Sequence, residues 1–176
     1  MYMVSGHVMS PDGDSVYLYS SGQPFTHGGD SSNQTWKQNT GIRLLTLRKD
    51  GFVSVDAPYE FKGGANNTLY PNLVTVNVRV PALPCPLGHH VALAVNFVTS
   101  VAGFVAVGVQ DAESGGAEAA GFGLADANRL KGNAVAATAS WGSSGSSSMD
   151  AFVGKEVAFR VAMADSSLYS LDFQCA

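Results

Sequence analysis

The sequence predicts an all-β fold, an antiparallel β-sandwich of jelly-roll type that is preceded by extra N-terminal strands. Three observations support this prediction. Hydrophobic residues recur with a period of two, most clearly where Val76, Val78 and Val80 alternate with polar residues. Turn signals rich in Gly, Pro and Asp recur about every 8–12 residues, as they do in β-sandwiches. No long segment shows a helical period.

The predicted strands are rich in Val, Phe and Tyr and are bounded by Gly, Pro, Asp or Asn, as half-buried strands are. In chain order they are residues 15–19, 44–48, 52–55, 76–80, 91–97, 101–109, 157–163 and 168–173. In the third of these segments we expect Phe52 and Val55 to point into the core of the sandwich. The strands at 157–163 and 168–173 close the fold near the C-terminus.

Two segments between the strands are read as loops. Residues 113–131 contain Gly115, Gly116, Gly121 and Gly123, each of which costs up to about 1 kcal/mol inside a helix. We therefore expect a long loop there, with at most one helical turn near residues 125–129. The low-complexity segment GSSGSSS at 142–148 predicts a flexible loop that joins two strands of one sheet.

The chain has 176 residues, which fits one domain or one domain with part of another. Its composition changes near Asp50, because strands alternate with long polar loops before this residue and become longer and richer in Val after it. We therefore expect N-terminal strands in residues 1–50 and the sandwich in residues 51–176.

The charge pattern excludes several kinds of partner. Charged residues are 14% of the chain, the net charge is −4, and the ten basic residues are scattered. The sequence therefore predicts neither nucleic-acid binding nor, in the absence of a run of 18 apolar residues, a membrane span. No signal peptide is recognisable at the start, so the localisation is left open. An extracellular location is favoured if the chain belongs to a longer secreted protein, and sequons at 33–35 and 66–68 would permit this.

No motif for catalysis or for a cofactor is evident. The chain lacks a nucleophile elbow and a phosphate loop, and its carboxylates lie mostly in turns. His89 and His90 would face opposite sides of a strand, so they do not predict a metal site. Cys85 and Cys175 allow two interpretations, one disulfide or two separate thiols. We expect no catalytic residue, no cofactor and no metal, and therefore no enzyme activity in this chain alone.

Aromatic side chains are the remaining candidates for binding, because sugar rings stack on exposed Trp or Tyr. Trp36 lies in a polar loop and Trp141 borders the Ser-rich segment. The alternative is that both pack beneath loops. The predicted carbohydrate-binding residues, with polar neighbours of Trp36 that could bond sugar hydroxyls, are Trp36, Trp141, His27, Asp30, Gln34 and Asn39.

Residues 41–57, GIRLLTLRKDGFVSVDA, resemble the segment GIGLATLRRDGFVSLDA of large glycoside-hydrolase-like proteins. In those proteins a five-bladed β-propeller, similar to glycoside hydrolase family 32, precedes a C-terminal β-sandwich. Residues 10–28 resemble the last propeller blade, and residues 121–141, 154–160 and 168–170 resemble the sandwich. The departures are the GSSGSSS insertion and Ala127, where relatives often carry Cys.

The resemblance implies an architecture, and it transfers no catalytic residue because the catalytic carboxylates of such propellers lie in early blades. We therefore expect a non-catalytic accessory or carbohydrate-binding β-sandwich of a glycan-active protein. Two alternatives stay open: a structural interaction module that supports a propeller hydrolase, and an inactive fragment of a glycoside hydrolase. The expected partners are a glycan, a propeller domain or a second copy of the chain.

Overall fold

The computed structural model of the protein describes residues 2–3, 6–22, 41–58 and 72–176. The regular structure of these residues consists of β-strands and two single 3₁₀ turns, Ala112–Ser114 and Asp150–Phe152. All strand pairs within the described ranges are antiparallel. The predicted all-β, sandwich-like fold with extra N-terminal strands is therefore confirmed.

The strands are numbered in chain order. They are β1 Tyr2–Met3, β2 Val8–Met9, β3 Ser15–Gly22, β4 Gly41–Arg48, β5 Val55–Ala57, β6 Asn72–Val74, β7 Val78–Arg79, β8 Val91–Asp111, β9 Ala117–Glu118, β10 Asn133–Thr138 and β11 Glu156–Cys175.

The chain divides into two compact units, Met1–Phe52 and Val53–Ala176. The N-terminal unit contains a four-stranded sheet in which β3 is the central strand. β4 pairs with one side of β3 from Ser15↔Arg48 to Gly22↔Gly41 without a bulge. The short strands β1 and β2 pair with the other side of β3. Side chains of successive residues along these strands therefore point to opposite faces of the sheet.

The C-terminal unit is built on two very long strands, β8 and β11, which pair along almost their whole length. β10 lies beside β8, and β5, β6 and β7 lie beside β11. The pairing of β8 with β11 shifts between Ala164 and Ser166 and again between Leu168 and Ser170. Such irregularities bend strands, so each long strand consists of two regular segments joined by a bend.

One hydrophobic core receives side chains from both segments of each long strand. The odd-numbered residues of β8 are buried from Val91 to Phe97 and again from Val105 to Val109. On β11, Val157, Phe159 and Val161 alternate into the same core. The even-numbered residues of these β8 segments are buried too, and Phe104, Ala106 and Ala164 form a second, smaller cluster, so this part of the sheet is covered on both faces. The predicted strands 91–97 and 101–109 are one strand, as are 157–163 and 168–173.

The expectation that Phe52 and Val55 lie in the core is wrong. Phe52 is 69% exposed and Val55 is 46% exposed. Phe52 belongs to the turn that follows Asp50, a residue with φ of 54°, and the strand begins only at Val55. This strand spans only Val55–Ala57, and Ala57 is its one buried residue.

The two predicted loops contain more order than expected. Residues 125–129 are not helical, and the segment before them forms a 3₁₀ turn and β9. The Ser-rich segment forms a closed turn in which Trp141 and Ser146 exchange backbone hydrogen bonds of 2.8 and 3.0 Å. Cys85 and Cys175 form a disulfide, which settles the two interpretations of the cysteines.

Candidate functional site

One face of the N-terminal sheet carries aromatic and aliphatic side chains that are open to solvent. Residues directly opposite in an antiparallel pair lie on the same face, and neighbours along a strand alternate. Val8 lies opposite Tyr17, and Tyr17 lies opposite Thr46. Tyr19 lies opposite Leu44, and Ser21 opposite Ile42. We call this surface the tyrosine face; its members are Val8, Tyr17, Tyr19, Ser21, Ile42, Leu44 and Thr46.

The exposure of the tyrosine face is high for its composition. Tyr19 is 39% exposed, Leu44 52% and Ile42 75%. Val8 and Thr46 are also exposed, and Tyr17 is half-buried. Isolated exposed apolar residues are ordinary, but an adjacent group on one face indicates an interaction surface. The tyrosine face is therefore the candidate functional site of the described residues.

The opposite face of the same sheet is the more covered one. Val16 and Ser20 of β3 are buried there, and Leu18 between them is half-buried. The strand β3 thus has one covered face and one open face, as a sheet with a single solvated side does. The open face is unusual because Tyr, Ile and Leu occupy positions where polar residues are the norm.

Tyr17 and Tyr19 lie on the same face of one strand. Tyr17 and Tyr19 are separated by one residue, which places their Cα atoms about 6.6 Å apart along β3. A tyrosine ring combines an apolar face with a hydroxyl group that can donate or accept a hydrogen bond. Hydroxyl groups of Ser21 and Thr46 lie on the same surface. This combination can stack on sugar rings and bond their hydroxyl groups.

The predicted binding residues of the N-terminal loop lie outside the described residues. They are His27, Asp30, Gln34, Trp36 and Asn39. In sequence, the segment 23–40 connects β3 to β4 at the paired residues Gly22 and Gly41. Their assignment to a binding site therefore stays a prediction, in the same unit as the tyrosine face.

Trp141 is not available as a stacking platform, which corrects its assignment as a binding residue. Its side chain is 2% exposed, and its Nε1–H donates to the carbonyl of Val107 at 2.8 Å. The ring packs against Phe122 with a centroid distance of 5.2 Å. The interpretation in which this tryptophan packs beneath a loop is the correct one, because both ring faces are enclosed by the core.

A polar cluster holds the Ser-rich turn against the start of β8. His90 Nε2 and Ser147 Oγ are 2.8 Å apart, and Asp150 Oδ1 accepts a hydrogen bond of 3.0 Å from the backbone N–H of Val91. The backbone of His90 also exchanges two hydrogen bonds with Ala176. These contacts tie three chain segments together beside the Cys85–Cys175 disulfide, so we assign the cluster a structural role.

Two carboxylates have a lowered pKa: Asp12 lies in the turn before β3, and Asp56 lies in β5. The hydroxyl of Ser10 donates to Asp12, and this bond together with the backbone N–H of Asp14 lowers the pKa of Asp12. Hydrogen bonds from Ser167 and Ser54 lower the pKa of Asp56. In both cases the bonds stabilise the charged form, which is the behaviour of a structural carboxylate.

In the described part of the chain, no group of three or more His, Cys, Asp or Glu side chains is placed to hold a metal ion. None of its helical segments has the length and apolar character needed to cross a bilayer. No protein-family model, curated protein or solved structure matches the chain.

The sequence contains a signal for the tyrosine face, which a prediction based on exposed tryptophans does not use. Tyr17 and Tyr19 lie at alternate positions of a predicted strand, so they had to share a face. The period of two alone does not show which face is buried. That information comes from the pairing of β3 with β2 and β4.

Proposed function

We propose that this protein is a non-catalytic carbohydrate-binding module of a glycan-active protein, and that the tyrosine face binds the glycan. The observation that carries the proposal is the placement of Tyr17 and Tyr19 side by side on an open sheet face. The resemblance of residues 41–57 to glycoside-hydrolase-like proteins agrees with this role. In that role, the long-stranded C-terminal unit corresponds to the C-terminal sandwich of those proteins.

The flatness of the site determines the expected strength of binding. A pocket encloses most of its ligand, but an open sheet face contacts only one side of it. We therefore expect dissociation constants in the micromolar to millimolar range, which correspond to about −4 to −8 kcal/mol. Binding of this strength suits a module that keeps a larger protein near an extended polysaccharide.

Affinity electrophoresis tests this proposal. The purified chain is run through native gels that contain soluble polysaccharides of different backbone chemistry, with bovine serum albumin as a non-binding reference. We expect at least one polysaccharide to retard the wild type, and we expect the double variant Tyr17→Ala, Tyr19→Ala to migrate without retardation. The matched control is Leu87→Ala, which removes a fully exposed apolar side chain from the C-terminal unit.

Two outcomes oppose the proposal. If no polysaccharide in a broad set retards the wild type, the module does not bind glycans of these classes. If the double tyrosine variant is retarded as strongly as the wild type, the tyrosine face is not the site. Circular dichroism of each variant checks that the sheet is retained.

A second candidate function is a structural module that packs against a partner domain. The observation that favours it is the aliphatic part of the open sheet, since Ile42, Leu44 and Val8 offer no hydrogen bonds to a sugar. Exposed aliphatic clusters are typical of protein interfaces. Under this hypothesis no polysaccharide retards the wild type, and Ile42→Ser weakens association with the partner domain.

A further inference from the structure

β4 is an edge strand that is exposed on both of its faces. Among the described strands it pairs with β3 alone. Ile42 and Leu44 are exposed on the tyrosine face, and Leu45 is exposed on the opposite face. Strands at the edge of a sheet usually bury at least one face, so β4 is unusual in offering apolar side chains on both.

β4 has few of the devices by which proteins protect a sheet edge. Such devices include proline, charged side chains such as lysine, β-bulges and short strand length, and of these β4 carries only the charges of Arg43 and Arg48. The eight residues of β4, GIRLLTLR, contain neither proline nor lysine, and the pairing with β3 has no bulge. A long, regular and apolar edge of this kind is a template for pairing with another strand.

The backbone register shows which residues would form that pairing. The N–H of Lys49 donates to the carbonyl of Asp14 at 2.9 Å, in register with the β3–β4 ladder. Hydrogen-bonded residues alternate in an antiparallel ladder, so the odd-numbered residues of β4 bond to β3. The backbone groups of Ile42, Leu44 and Thr46 therefore point to the outer edge.

We propose that this protein dimerises through β4, which pairs antiparallel with β4 of a second copy. In such a pair the even-numbered residues of one β4 must bond to even-numbered residues of the other. A two-fold axis at Leu45 meets this condition and pairs the largest number of even-numbered residues. In that register Leu44 lies opposite Thr46 of the second copy, and Leu45 lies opposite its own counterpart. The pairing supplies about four to eight backbone hydrogen bonds.

Charge is compatible with a second copy as the occupant. The N-terminal unit contains four acidic and four basic residues, so its formal net charge is zero and the whole −4 belongs to the C-terminal unit. In the proposed register Arg43 lies opposite Leu47 and Arg48 opposite Ile42. No two like charges are directly opposed, and like charges directly opposed would destabilise the pair.

The dimer has a consequence for binding that rests on the proposed carbohydrate function. A two-fold axis perpendicular to the sheet places both tyrosine faces on the same side. Two weak sites on one side bind a long polysaccharide more tightly than one site does, because the second contact is intramolecular.

Sedimentation equilibrium of the full chain tests the proposal, with Thr46→Pro as the disruptive variant and Thr46→Val as its matched control. The N–H of Thr46 points away from β3, so proline at this position removes no hydrogen bond of the sheet and blocks the outer edge. We expect concentration-dependent dimers for the wild type and for Thr46→Val, and monomers for Thr46→Pro. A monomeric wild type across the micromolar range overturns the proposal, as does a Thr46→Pro variant that remains dimeric.

Cysteine crosslinking provides a second test that does not depend on how well the proline variant folds. Both native cysteines are in a disulfide, so a single added thiol reacts only with another copy. Leu45→Cys places two thiols across the axis, and we expect an oxidised dimer on a non-reducing gel. Leu44→Cys lies about 8 Å from its counterpart in this register, and we expect much less crosslinking. Equal crosslinking of the two variants, or none of either, contradicts the register.

Discussion

The side chain of Trp141 connects the Ser-rich turn to the centre of the sheet. Its Nε1–H donates to the carbonyl of Val107 on β8, and its ring contacts Phe122, which in turn contacts Phe152 edge-on at 4.9 Å. One residue thus anchors two segments that would otherwise be surface loops. This explains why a tryptophan beside a Ser- and Gly-rich stretch is buried.

Trp141→Phe is predicted to lower the free energy of unfolding by about 1–3 kcal/mol. The variant keeps an aromatic ring but leaves the buried carbonyl of Val107 without this donor, and an unsatisfied buried acceptor costs about that amount. Chemical denaturation measures the change. The control Tyr19→Phe removes a polar group from an exposed ring, and we expect a change within about 0.5 kcal/mol. Equal effects of the two substitutions would show that the buried bond contributes nothing.

Asp12 is predicted to titrate below its ordinary pKa of 3.8, because the Ser10 hydroxyl and the Asp14 backbone N–H stabilise its charged form. Because the pKa of Asp12 is lower in the folded state than in the unfolded state, its charged form stabilises the fold. This stabilisation is fully present above the pKa of the unfolded state and is lost as the pH falls through the pKa of the folded state. NMR titration of the carboxyl group measures this pKa. In Ser10→Ala the pKa should rise towards 3.8, and in Ser54→Ala it should stay unchanged. A Ser10→Ala variant with an unaltered Asp12 titration would refute the assignment.

At the scale of single elements, the bend of the long strands depends on Gly103. A Cβ atom at this position would lie 2.2 Å from the carbonyl oxygen of Asp165, which is far closer than any normal contact. Gly103 and Asp165 lie where the β8–β11 register shifts. The sheet can therefore bend here only because residue 103 has no side chain.

Gly103→Ala should lower the free energy of unfolding by roughly 1–3 kcal/mol, the usual range for forcing an extra methyl group into a packed site. The matched control is Gly41→Ala in β4, where an added Cβ meets no atom of the described residues within 4 Å. We expect this control to be nearly neutral. A neutral Gly103→Ala in thermal unfolding would show that the close approach of the two strands is wrong.

The Cys85–Cys175 disulfide closes a long loop, since the two residues are 90 apart in sequence. Loss of a crosslink of this span is expected to cost about 4–5 kcal/mol in the chain-entropy treatment. The double variant Cys85→Ser, Cys175→Ser should therefore unfold at much lower denaturant concentration than the wild type. If a reducing agent lowers the denaturation midpoint of the wild type to that of the double variant, the loss of stability is caused by the missing disulfide and not by the serine side chains. An unchanged midpoint in both experiments would exclude the bond.

The strand pattern was predictable because alternation follows directly from the geometry of a pleated sheet. It located β3, β4, β8 and β11. The ends of the strands were harder to predict. Odd-numbered residues face the main core on both sides of the bend in β8, but the sequence does not show that residues 91–97 and 101–109 form one continuous strand. The prediction that Phe52 points into the core was wrong for a related reason. In the sequence, a hydrophobic residue that follows a turn cannot be distinguished from the first residue of a strand.

At the scale of the whole molecule, each unit has its own sheet and its own contribution to the proposed role. The N-terminal unit offers the tyrosine face and the outer edge of β4, whereas the C-terminal unit is closed by a disulfide and filled by a continuous core. From the sequence we predicted that aromatic residues bind the glycan, and the residues chosen were two tryptophans in or beside loops, Trp36 and Trp141. The sequence could not identify the tyrosine face, because face exposure depends on contacts that are distant in sequence.

The measurement that tests the central claim most directly is an NMR titration of the ¹⁵N-labelled protein with the polysaccharide that retards it most in gels, used as a short soluble oligosaccharide. We predict progressive chemical-shift changes for the amides of Tyr17, Tyr19 and Leu44. The indole N–H of Trp141, buried and bonded to Val107, should not move. Shift changes confined to the C-terminal unit, or shifts that persist unaltered in Tyr19→Ala, would contradict the claim that the tyrosine face binds the glycan.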